Sequence, residues 1–150
     1  MNKTPDIKKL EYSLLALRLG VFIVMFIWTL DKFINPDHAA AIFANFYFME
    51  GIGATVLYAV AAIEMVVILM FVAGVARTWT YGAVFLLHGV STLASFNQYL
   101  NPFSNLLFFA AWPMLAACFA LFMLRDHDNM FAFTSSADKQ RLTGSDTAKA

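Results

Sequence analysis

Four stretches of this chain are apolar almost without interruption, and polar residues gather in the joints between them. They cover about residues 13–30, 51–74, 80–96 and 106–124. The second sets the scale, with 24 residues and a single charge, Glu64. About 20 apolar residues cross roughly 30 Å of hydrocarbon, so the pattern predicts four membrane-spanning helices. The joint after the first run opens with Asn35-Pro36-Asp37, a helix-start signal. Ile42, Phe43, Phe46 and Tyr47 then recur at spacings of three and four. That joint reads either as a short amphipathic helix, on the membrane surface or capping the bundle, or as an aromatic-rich interface loop. Pro113 lies inside the fourth run and is expected to kink it. The predicted fold is all-α: an integral membrane four-helix bundle with a short amphipathic external helix.

Basic residues set the orientation. Lys3, Lys8, Lys9, Arg77, Arg125, Lys139, Arg141 and Lys149 fall on one side of the predicted bundle, with Arg18 close by, and only Lys32 falls on the other. Positive charge stays in the cytoplasm, so both termini are expected there, in a multi-pass protein of the cytoplasmic (inner) membrane. No small-residue cleavage site ends the first run, which reads as an uncleaved span. The chain divides into a tail over 1–12, a membrane domain over 13–125 and a polar tail over 126–150, the last read as disordered. A faint echo links Phe33-Ile34-Asn35-Pro36 with Tyr99-Leu100-Asn101-Pro102. A shared turn accounts for it better than a duplicated hairpin, because the likeness stops at the spans.

Composition adds exclusions. Hydrophobic residues make up 61% of the chain and charged residues 13%, against about 45–50% apolar in soluble domains. Zero net charge gives nucleic acid no electrostatic handle, and no phosphate-binding loop or nucleotide fingerprint occurs. Cys118 is the single cysteine and reads as a small packing residue. It excludes an internal disulfide, a CxxC pair and an iron–sulfur cluster held by this chain alone. The eight methionines and three histidines form no copper-binding grouping. His38 and His127 fall on opposite sides of the predicted bundle and cannot share a haem. No metal site and no covalently bound cofactor is expected.

What remains is polar chemistry inside apolar helices. An ionisable group at mid-membrane costs about 2.5–3.5 kcal/mol on insertion scales, so Glu64 requires a partner or a task. Arg18, Phe22, Met25, Thr29 and Lys32 share one face of the first span. His88, Ser91, Thr92, Ser95 and Tyr99 share a face of the third. Glu64 and His88 lie at similar depth on adjacent antiparallel helices, which predicts that they pair. The candidate cluster is Arg18, Glu64 and His88 with Ser91, Thr92 and Ser95; Lys32, Tyr99 and Asn101 stand in a second tier. Such a cluster accepts a quinone headgroup, relays protons or meets a partner subunit. The plainer alternative is an interhelical hydrogen bond between His88 and Glu64 with no chemistry attached, and for Arg18 a side chain that snorkels to the headgroups.

Arg18-Leu19-Gly20, then Leu30-Asp31-Lys32-Phe33-Ile34-Asn35-Pro36, Glu64, the Gly74-Val75-Ala76-Arg77 turn and Asn101-Pro102 before a last apolar span form a spaced series. In this series the chain resembles the DoxX family of small four-span membrane proteins, over roughly residues 13–125. Where family members often end on a Gly-rich, Ser-Asp segment, this chain has Leu124-Arg125-Asp126-His127-Asp128. The resemblance implies a four-helix bundle in the cytoplasmic membrane. A DoxD-like branch is linked to thiosulfate:quinone oxidoreduction with a second small subunit, and other relatives look like redox partners or assembly factors. Two functions follow as expectations. One is a small membrane subunit of a quinone-linked redox system. The other is a non-catalytic accessory or assembly subunit packed against a larger complex. Expected partners are the bilayer and a second subunit or a further copy of the chain.

Overall fold

The computed structural model describes residues 7–133, which are mostly helical, with no strand among them. The long helices are α1 (Ile7–Ile34), α3 (Ala54–Val72), α4 (Arg77–Ala94) and α6 (Ala111–Met123). Two short ones join them, α2 (Pro36–Tyr47) and the single turn α5 (Phe96–Tyr99). Three helical stretches are long and apolar enough to cross a membrane: Ile7–Ile34, Ala54–Val72 and Leu106–Met123. Helix α4 has the length, but its polar residues, from Thr78, Thr80 and Tyr81 to His88, Ser91 and Thr92, dilute its hydropathy.

Local chemistry explains the joints. A proline disfavours α geometry in the residue before it, so α1 stops ahead of Pro36. Asn35 sits at φ −127°, ψ 65°, and Asn101 at φ −123°, ψ 70°. In both places the proline then opens a new helical turn, so the two Asn-Pro pairs share one turn geometry. Pro113 lies in the first turn of α6, where backbone N–H groups have no intrahelical acceptor, so it removes no bond there. The irregularity expected within this span lies just before it, where Leu106–Ala110 winds as a 3₁₀ helix. Gly74 closes α3 at φ +68°, and a Cβ there would stand 2.6 Å from Ala132 Cβ and 2.9 Å from Arg18 Nη1. Both the backbone angle and the close approach call for glycine.

The long helices form a ring in the order α1, α3, α4, α6, with α6 returning to α1. Sequential members run antiparallel: Gly82 faces Phe122 and Gly89 faces Leu115 across α4 and α6. One half of the ring, at the α3–α4 turn, is a closed core of Leu14, Val21, Ile68, Phe71, Tyr81 and Leu121 with their neighbours. The other half is open inside and is covered by α2. Apolar side chains such as Ile23, Ile63, Val66 and Leu93 point outward around the ring, as a lipid solvent permits.

Candidate functional site

The open half of the ring holds a cavity of about 1000 Å³. Its α1 wall runs from Ala16 to Lys32, about 24 Å at 1.5 Å per residue. The opposite wall is the start of α6, including Pro113, Met114 and Ala117. Several lining residues of α1 and the α6 approach, among them Leu17, Gly20, Ile27 and Leu107, are exposed on the outer surface. The cavity is therefore open along the flank between α1 and α6. Ile42, Phe43, Phe46 and Tyr47, the row whose spacing predicts an amphipathic helix, all line it from α2.

The polar groups concentrate at the α2 end. Lys32 Nζ lies 2.9 Å from Glu64 Oε2, both side chains being about one-sixth exposed. Thr29 Oγ1 donates to the same oxygen at 3.3 Å. Lys32 also donates to the Trp28 carbonyl at 3.4 Å. Asp31 and His38, 2.6 Å apart, sit beside this pair on the cavity wall. His88 is almost fully buried and approaches the Ala111 carbonyl through Nε2 at 3.0 Å. A carbonyl only accepts, so Nε2 carries the proton. His88 Nδ1 is buried and has no hydrogen-bond partner among the described residues. The Trp28 ring stands 6.0 Å from the imidazole. A smaller cavity of about 340 Å³ adjoins, and Trp28, Lys32, Glu64, His88 and Ser91 line both.

The predicted Glu64–His88 hydrogen bond is not formed: the carboxylate binds Lys32 and Thr29, and the imidazole binds Ala111. The two share the cavity wall instead. The hydroxyl stripe is largely satisfied within its own helix, Thr92 donating to the His88 carbonyl at 2.8 Å and Ser95 to that of Ser91 at 3.1 Å. Ser91, Thr92 and Ser95 nonetheless all line the cavity. Tyr99 donates to the Thr92 carbonyl at 3.0 Å and packs on Phe109 and Trp112. Burial raises its hydroxyl pKa. Asn101 lies outside, with its carbonyl capping Asn105.

Arg18 does not join this group. It lies 14 residues from Lys32 on one helix, about 21 Å away along the axis. It is buried in the closed half, 3.4 Å from Asp128, and donates to Tyr81 and to the Met130 carbonyl. Tyr81 in turn donates to Asp128 at 2.7 Å. The chain after α6 folds back over this end, and Phe133 N–H bonds the Ala73 carbonyl at 2.9 Å. Residues 126–133 thus pack on the domain that the sequence ends at 125, and Asp128 is fully buried; residues 134–150 of that tail, and 1–6 of the first, lie outside the described residues.

The Lys32–Glu64 pair gives a direct expectation. Lys32→Met leaves a carboxylate in an apolar wall without its cation and should destabilise the detergent-solubilised protein by about 1.5–3 kcal/mol. Glu64→Gln should cost less, because the amide keeps an acceptor. The double variant should lose less than the two single losses added together, as contacting partners do. Strict additivity in thermal unfolding would separate the two side chains.

No family model, curated protein or solved structure matches this chain.

Proposed function

We propose that this chain is a four-span subunit of the cytoplasmic membrane, with both termini inside, that binds a lipid-tailed quinone in a quinone-linked redox system. The observation carrying the reading is the cavity itself. It is elongated and apolar along α1 and α6, open on the flank, and polar at one end, where Lys32, Glu64 and His88 meet. Its volume suits a ring with part of an isoprenoid tail, since ligand sites run from about 300 to 1,000 Å³. In this reading α4 is the fourth span, its polar face turned to the cavity, and α2 lies at the outer surface as a cap. In this reading electrons come from a partner subunit, since a single cysteine gives this chain neither a CxxC pair nor an iron–sulfur cluster of its own. The resemblance to DoxX-like proteins supports the same assignment.

A second reading has a specific observation behind it. Helix α6 with its 3₁₀ approach is the least covered of the three apolar stretches. That exposed face suits packing against another membrane chain, either a partner or a second copy, in an accessory or assembly role. One experiment separates the two. The protein is purified in mild detergent, its lipids are extracted, and quinone and co-purifying chains are quantified. Near-stoichiometric quinone supports the redox subunit. Partner chains without quinone support the accessory role.

A further inference from the structure

Aromatic side chains wall the α2 end of the cavity, and most of them already pack in pairs. Phe43 lies 5.3 Å from Tyr47, and Phe46 stacks on Phe108 at 5.8 Å, ring centre to ring centre. Trp28 is the exception. Among the described residues its indole meets no ring except the His88 imidazole, 6.0 Å away and tilted by 35°. Trp28 is 46% exposed and lines both the large cavity and the smaller one beside it. A wide aromatic face therefore stands at the polar end without a second ring on it.

A donor stands one turn further along the same helix. Lys32 follows Trp28 by four residues, so the two side chains are neighbours on one face of α1. Lys32 turns N–H groups to Glu64 Oε2 and to the Trp28 carbonyl, which leaves its third. Resting on the quinone-site reading, we infer that the Trp28 indole is the platform on which the headgroup ring lies, with a ring oxygen turned to Lys32. A quinone carbonyl and a quinol hydroxyl both carry a lone pair for that N–H, so the pose serves either redox form. Offset stacking of two aromatic rings contributes affinity beyond the area it buries.

The test uses the full chain in detergent and a decyl-tailed benzoquinone. Of the three tryptophans, neither Trp79 nor Trp112 lines either cavity. In the Trp79→Phe, Trp112→Phe double variant Trp28 is the sole indole emitter. A quinone quenches an excited indole at contact, so most of that emission should be lost, saturating at one quinone per chain. By calorimetry, Trp28→Phe should keep affinity within about threefold of wild type, and Trp28→Leu should lose about tenfold. Both are checked for an unchanged circular dichroism spectrum. Saturable quenching should vanish in Trp28→Phe although the quinone still binds. If the quinone binds without saturable quenching of Trp28, or binds Trp28→Leu as tightly as wild type, the platform is overturned while the quinone site stands. If Phe loses as much as Leu, the indole N–H and not the ring face holds the ligand, and stacking is overturned. If wild type binds no quinone, the quinone site falls and the platform with it. The single-emitter titration decides the matter even if Trp28→Leu does not fold.

Discussion

Asp128→Asn should lower the stability of the solubilised bundle by about 3–5 kcal/mol, the cost of removing one member of a buried ion pair. Arg18 is 1% exposed and Asp128 0%. Among the described residues, Arg18 Nε and Asp128 Oδ1 already lack hydrogen-bond partners, so this cluster has no surplus with which to absorb the change. Asparagine keeps the shape of the side chain and still accepts from Tyr81. The loss therefore reads the charge that faces the guanidinium rather than a cavity. Arg18→Met combined with Asp128→Leu should recover much of the loss, because an apolar pair of similar size removes both buried charges at once. Thermal unfolding followed by circular dichroism measures this. A change below about 1 kcal/mol would place the pair in the range of solvent-exposed bridges and deny it any part in holding the returning segment.

Gly20→Phe should weaken ligand binding tenfold or more while leaving the fold intact. Gly20 lies on the cavity wall, and a Cβ built there meets no atom within 4 Å. A side chain there displaces nothing of the core and stands at the open flank of the slot between α1 and α6. A phenyl ring would occupy space that the tail of an amphipathic ligand needs. Affinity for a decyl-tailed quinone or quinol should fall tenfold or more, about 1.4 kcal/mol or greater. The unfolding temperature should hold or rise, as it does when an open cavity is filled without strain. Equal affinity in wild type and variant would move the ligand out of this slot.

Much of this arrangement is legible in the chain. The face shared by Thr29 and Lys32 on α1 is the face that meets Glu64. The α2 row at Ile42, Phe43, Phe46 and Tyr47 is the row that lines the cavity. Helical periodicity carries both, because it reports which residues point the same way. It does not report which partner stands opposite. Arg18 shares its face with Lys32 yet belongs to the other end of the bundle, and its acid follows the last long helix. Asp128 lies in a polar run whose local pattern reads as solvated, and no short-range signal shows that the chain turns back. The available clue was charge balance: a buried guanidinium needs an acid at its own depth, and Asp126 and Asp128 are near that end. Depth places Glu64 and His88 together, but Lys32 and the Ala111 carbonyl claim them. The open half of the ring, where most of the candidate residues meet, depends on how α2 and the start of α6 pack, and such packing leaves no periodic trace.

The most direct measurement is photoaffinity labelling of the full chain in native membranes with an azido-quinone, followed by peptide mapping. Labelled residues should cluster on the two walls of the slot, over 17–28 on α1 and 111–117 on α6, and an excess of unlabelled quinone should remove the label. Label spread over outward-facing positions such as Ile63 and Val66 on α3, or label that the excess does not displace, would contradict a quinone site in this cavity.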